Sequence, residues 1–336
     1  MPEPRSEMPG VPGPSGGGTT VRVLVTGATG FVGRAVLPKL TQAGHQVRIL
    51  LRPSPASPRL PTGVSVEVGL SSLMDERGLR ADLLGVEAIL HLAGGEGQGS
   101  RADLALSDAE ATRTLVEAAS QGGVRRVLFL SHLGADRASA YPVLQAKALA
   151  EDAIRRGVVP YTIVRSAVAY GPEDHFTTSL ATTLALAPGF FFLPSGGTTP
   201  LQPLWIEDLA TALAWALDED GLVGRTYEVG GPEILTLRDV VEMVMSAARI
   251  RRVLVEARPW AVRALVRAGE ALLPRPPFTP FWIDYLAAGR TAALDTLPRA
   301  FGLQPSRMQD NLGYLRRRNW RREWLRRHAR QDGIDG

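Results

Sequence analysis

Residues 21–52, VRVLVTGATGFVGRAVLPKLTQAGHQVRILLR, decide the fold. A β-branched apolar run ends in a glycine turn, an amphipathic helical pattern follows and closes near Gly44, and a second apolar run begins. Gly27, Gly30 and Gly33 form GxxGxxG between strand and helix. The first glycine permits the tight turn, the second lets main chain approach a pyrophosphate, and the third allows close helix–strand packing. The helix start then points its N–H groups at the phosphates. Thr29, Phe31, Val32 and Arg34 fall among and just after these glycines and complete the expected cofactor turn. At the end of the second run an acid would accept hydrogen bonds from a ribose 2′-hydroxyl, whereas an arginine suits a 2′-phosphate. Arg52 stands there with no acid beside it, so NADP(H) is expected over NAD(H). The plainer alternatives are a structural βα turn and a solvated arginine.

Outward from this unit, VSVEV (64–68), AILHLA (88–93), VRRVLFLS (124–131) and PYTIVRS (160–166) supply further short apolar strands, with helical patterns between them. Strands alternating with helices predict an α/β fold, a Rossmann-type doubly wound parallel sheet. No internal repeat is found.

Composition narrows the chemistry. The chain of 336 residues is 45% hydrophobic, enough for a sizeable core, and lacks cysteine, which excludes disulfides and thiolate chemistry. Its five histidines are scattered without an HxxxH or HExxH pair, so no metal site is expected. Residues 1–20 are rich in Pro, Gly and Ser and read as a disordered tail, neither signal peptide nor anchor. The most apolar stretch, LATTLALAPGFFFLP (180–194), is too short to span a bilayer and is broken by Pro188-Gly189. The expected location is the cytoplasm, with peripheral contact at the inner membrane face.

TGATGFVGR, ILHLAG, VLFLSHLGA, AKALAE, VPYTIVRSAVAYGPED, LQPLWIEDLATAL and GRTYEVGGPEILTLRDVV follow one another in order and spacing. Together they resemble an atypical or extended short-chain dehydrogenase/reductase, epimerase- and dehydratase-like. The set is most similar to bacterial relatives of the NADPH-binding accessory subunit of respiratory complex I. ALLPRPPFTPFWIDYL and FGLQPSRMQDNLGYLRR extend the likeness to about residues 21–318. The resemblance implies a cofactor domain over 21–171 plus about 204–229. It also implies a smaller C-terminal substrate lobe from 172–203 and 230–315, and a basic tail at 316–336. It places His91, Leu92, Ala93 and Gly94 beside the adenine-side ribose and diphosphate, and Ser131 next to the nicotinamide. It puts Lys147 on the nicotinamide ribose and Val168, Tyr170 and Gly171 at the cofactor's amide end.

The superfamily's YxxxK motif sets phenol and ammonium on one helix face, where the lysine lowers the tyrosine pKa. Here the residue four before Lys147 is Val143, which cannot donate a proton. Tyr141 is six before, and Pro142 is a natural first helical residue, so Tyr141 is expected in the preceding loop. Relatives commonly carry Gly-Asp where this chain has Gly69-Leu70. Two functions follow. One is an NAD(P)(H)-binding protein with little or no turnover. The other is an active NADP(H)-dependent reductase, epimerase or dehydratase on a small molecule, using Ser131, Tyr141 and Lys147 as catalytic residues.

The net charge is +4, yet Arg316–Arg330 holds eight arginines against Glu323, so the rest of the chain sums to −3. Trp320 and Trp324 at i, i+4 predict an amphipathic basic helix. It suits an acidic membrane surface or an acidic protein partner, or packs its tryptophans on the body. No motif of a nucleic-acid-binding module accompanies it, so no nucleic-acid partner is expected.

Overall fold

The computed structural model describes residues 20–54, 60–94, 109–272, 286, 289–316 and 319–329. The expected N-terminal tail, most of ALLPRPPFTPFWIDYL and the final residues of the basic tail lie outside them.

Seven parallel strands form the main sheet: β1 (Arg22–Thr26), β2 (Gln46–Leu51), β3 (Glu67–Leu70), β4 (Ala88–His91), β5 (Arg126–His132), β6 (Tyr161–Ser166) and β11 (Arg225–Val229), in the order β11-β6-β5-β4-β1-β2-β3. The doubly wound α/β expectation holds. The strand order reverses between β1 and β4, where such sheets open a crevice at their carboxyl ends.

Both faces are covered. In β1, Val23 and Val25 join one core with α1 (Phe31–Gln42) and α6 (Ile206–Asp218), while Leu24 points into the opposite core. That second core is closed by α2 (Glu76–Asp82), α3 (Ala111–Gln121) and α4 (Pro142–Arg156). Uninterrupted apolar strands are what a parallel sheet buried on both faces requires. Lys39 on α1 pairs with Glu207 on α6 at 3.0 Å across the helix pair. The third strand sits later than VSVEV suggested. Its register is Arg48↔Glu67, fixed by two Arg48–Glu67 hydrogen bonds of 3.0 and 2.7 Å, and Val64 and Val66 pack against the core from outside the sheet.

A smaller lobe has its own apolar core, including Phe176, Leu180, Leu193, Val240, Val244, Met308 and Trp320. Its helices are α5 (Thr177–Leu186), α7 (Leu237–Ala248) and α8 (Pro259–Leu272), and its short strands pair as β7 (Ala169–Tyr170) with β10 (Leu204–Trp205), β9 (Pro200–Leu201) with β12 (Leu235–Thr236), and β8 (Phe190–Pro194) with β13 (Val253–Ala257). The last described helices are α9 (Thr296–Phe301) and α10 (Trp320–Ala329). The helix expected at the basic tail is there, and Trp320 is buried in the lobe's core. Among the described residues no helix is long and apolar enough to cross a membrane.

Side chains hold two of the lobe's helix starts. Asp174 accepts from the Thr177 and Thr178 N–H groups at 3.1 and 2.8 Å, holding the start of α5. Thr236 and Asp239 close a reciprocal capping box on α7. The Thr236 hydroxyl and N–H hold the Asp239 carboxyl below its ordinary pKa. A depressed carboxylate stabilises the fold above its unfolded pKa, and that contribution is lost as pH falls through the folded value. Asp239→Ala removes the N3 half of that box and, with solvent screening the carboxylate, should cost at most about 1 kcal/mol in urea unfolding at neutral pH. The difference from wild type should shrink in acid.

Candidate cofactor site

The glycine turn is packed as tightly as its spacing implied. Gly27 has φ +70°, and a Cβ there would lie 2.7 Å from the main chain of Leu92 and Ala93. A Cβ on Gly33 would lie 2.4 Å from the Gly27 carbonyl oxygen and 2.5 Å from that of Ala28. The turn is closed by the Gly30 N–H donating to the Gly27 oxygen at 3.0 Å. At α1 the N-cap is Gly30, no side chain caps it, and the first turn carries no acid. The leading N–H groups of α1 have no partner within the helix. The starts of α3, α4 and α6 also lack a side-chain cap, so what sets α1 apart is the glycine turn ahead of it, into which no Cβ fits.

Thr26, absent from the sequence reading, fastens this turn to the end of β4. Its hydroxyl accepts from the Leu92 and Ala93 N–H groups, both at 3.2 Å, and lies 2.6 Å from His91 Nδ1. An oxygen already accepting twice donates its own proton to Nδ1, which assigns the ring proton to Nε2, 3.0 Å from the Thr112 hydroxyl. His91 is therefore a buried core residue, 1% exposed, and does not flank the ribose as the resemblance implied. Leu92, Ala93 and Gly94 do follow β4 at the crevice. The signal for Thr26 was its place as the last residue of the first strand.

His91 stacks on Phe129 at 5.2 Å, and Lys147 Nζ lies 5.4 Å from the same ring's centroid. The column from turn to α4 is thus continuous, and Lys147, 2% exposed, is its far end. One helical turn further along α4 stands Glu151, fully buried. It receives the Ser131 hydroxyl at 2.6 Å, two Arg165 bonds at 2.8 and 2.7 Å, and one from Arg155 at 2.7 Å. This corrects the reading of Ser131. Its side chain points into α4 and is 0% exposed, because a buried carboxylate claims its proton, so it does not face the nicotinamide end.

The tyrosine reading is kept in its local geometry. Tyr141 is the N-cap of α4 with extended backbone (φ −104°, ψ 117°) and Pro142 follows at the first helical position. Val143 is buried at 2% exposure in the place the superfamily gives its phenol. Tyr170 is fully buried, and burial pushes its phenol well above the ordinary range.

At the carboxyl end of β5 and β6 a small cleft is lined by Leu133, Ala167, Val168, Leu201, Gln202 and Arg290. Gln202 ties the lobe together, donating to the Gly231 carbonyl at 2.8 Å and accepting from the Ala292 N–H at 2.7 Å. That bond fixes the strap carrying Arg290, whose stem lies over Gly134, where a Cβ would come within 2.6 Å of Arg290 Cγ. Sequence reading missed Leu133, Gln202 and Arg290 because only the returning strap makes them neighbours. A broader depression at Glu219, Arg225 and Arg299 lies by the amino end of β11, away from the crevice. Arg34 donates to the Thr29 carbonyl at 2.8 Å and meets Glu173 at 3.4 Å, while Arg52 is exposed just past β2. No group of residues suited to a metal occurs among the described residues.

Residues 27–181 match a family described as NAD(P)H-binding. Over 279 residues the chain is 30% identical to (4-alkanoyl-5-oxo-2,5-dihydrofuran-3-yl)methyl phosphate reductase of Streptomyces griseus, covering 81% of this chain and 88% of that one. The chain belongs to the atypical short-chain dehydrogenase/reductase family. This family also includes an Arabidopsis thaliana mitochondrial protein, NADH dehydrogenase [ubiquinone] 1 alpha subcomplex subunit 9, 32% identical over 246 residues and 70% of this chain. The chain spans 60% of that relative's length. The same fold is seen in the Escherichia coli NADPH-dependent quinone oxidoreductase QOR2 complexed with NADPH. That structure has a TM-score of 0.69 at 20% identity, covering 87% of this chain and 99% of the other.

Proposed function

We propose that this protein holds NADP(H) in preference to NAD(H) across the β1–β4 crevice, with little or no turnover through a tyrosine–lysine relay. The observation that carries the reading is the uncapped start of α1 behind a turn into which no Cβ fits. The pyrophosphate would sit on those N–H groups, Lys147 would meet the nicotinamide ribose, and Val168 would lie at the amide end. Val143 in the phenol's place, and Ser131 spent on Glu151, argue against the superfamily's proton transfer. Arg52, exposed at the end of β2, is the 2′-phosphate partner. Arg52→Glu should weaken NADPH by about tenfold, the worth of one charge-assisted contact, and leave NADH unchanged. Equal losses for both would remove Arg52 from that role.

A second reading, reduction or epimerisation of a small molecule, is favoured by the relative named a reductase. The dinucleotide would supply hydride, and Tyr141 is the nearest phenol in sequence to the lost position. Tyr141→Phe should then abolish turnover at unchanged NADPH affinity; an unaffected rate would refute the role. The setting proposed is cytoplasmic and peripheral at the inner membrane face. The basic α10, clamped to the body by buried Trp320, would add charge to such contact.

A further inference from the structure

The β8–β13 pair has apolar residues on both faces. Its register, Val253↔Phe190, Leu254↔Phe191 and Val255↔Phe192, sets two cross-strand pairs on the outer face and packs Phe191, Leu193 and Leu254 into the lobe's core. The outer set, Phe190, Phe192, Val253 and Val255, is 42%, 36%, 67% and 36% exposed. A half-buried pair normally alternates apolar inward with polar outward, so four apolar residues outward form a patch that asks for a partner. Phe190 and Phe192 meet edge to face at 5.2 Å, so the patch is preformed. The helix that follows, α8, exposes Trp260 (67%) and Leu265 (57%) beside it in the chain.

The rim is cationic. Arg249, Arg251, Arg258 and Arg267 are exposed on or next to these elements in the chain, and from residue 249 to 272 the acids are Glu256 and Glu270 against six arginines. The basic α10 begins at the same rim: the Ala185 carbonyl accepts from Arg252 at 3.2 Å and from Arg321 at 2.6 Å. Exposed aromatic and branched apolar side chains flanked in the chain by arginines match an interface whose headgroups are anionic and whose interior is hydrocarbon.

We propose that the outer face of β8–β13, with Trp260 and its arginine rim, docks the protein on the surface of an anionic bilayer. Two copies meeting symmetrically through this face would set arginines against arginines, which disfavours self-association. The surface lies on the small lobe, apart from the glycine turn, so its test is independent of cofactor binding.

The experiment floats the full chain with phosphatidylcholine vesicles and with vesicles that also contain phosphatidylglycerol. Two variants run alongside, Phe190→Ser/Phe192→Ser and Arg251→Glu/Arg258→Glu, each checked for folding by NADPH titration and by thermal melting. Wild type should bind the mixed vesicles and not the neutral ones, and each variant should lose at least about tenfold in partitioning. Absence of wild-type binding to mixed vesicles would overturn the proposal. So would wild-type-like binding by the folded phenylalanine variant. A dimer that the same substitutions turn into monomer would assign the face to a second copy instead.

Discussion

Gly33→Ala should weaken NADPH binding by at least about 100-fold, equivalent to about 2.7 kcal/mol. The new Cβ would meet two main-chain carbonyl oxygens, at 2.4 and 2.5 Å, with no flexible side chain to give way. Relief requires α1 to withdraw from the turn, opening the Gly27–Gly30 bond and carrying the leading N–H groups off the pyrophosphate position. Gly44→Asn is the matched control, because its site has φ +88° with nothing within 4 Å of an added Cβ, and asparagine tolerates that backbone. It should leave affinity unchanged in the same equilibrium titration. Wild-type affinity in Gly33→Ala would show that the turn does not hold the cofactor.

The second large effect concerns stability. Glu151→Ala should cost about 3 kcal/mol in denaturant unfolding, since removing one partner of a buried ion pair strands the other. Arg165 would keep only its 3.2 Å contact to exposed Glu228, and the Ser131 hydroxyl would be left buried without its acceptor. Because Glu151 stands one turn from Lys147, NADPH affinity should fall as well. Glu151→Gln retains an acceptor for Ser131 and should lose less. A loss below about 1 kcal/mol for the alanine variant would mean that the network contributes no more than a surface ion pair.

How far these residues were legible in sequence depends on whether their partners are local. The glycine turn was readable because strand, turn and helix are contiguous and the constraint is steric. Tyr141 was placed correctly before α4 because Pro142 fixes the helix start without help from the rest of the chain. Ser131 was misread. Its direction is set by Glu151 twenty residues later and by Arg165 on the neighbouring strand, and no local pattern encodes that pairing. His91 failed similarly, since Thr26 and Thr112 reach it from distant elements. The shift of β3 reflects a choice of register that the Arg48–Glu67 pair makes and alternation alone does not. The tail was half legible: two tryptophans at i, i+4 announced a helix, but only its packing against α5 and into the lobe's core shows Trp320 turned inward.

The most direct test of the central claim is one equilibrium titration of the purified full-length chain with NADPH and with NADH. The account predicts saturable one-to-one binding of both, tighter for NADPH. Folded protein that binds neither dinucleotide would contradict it.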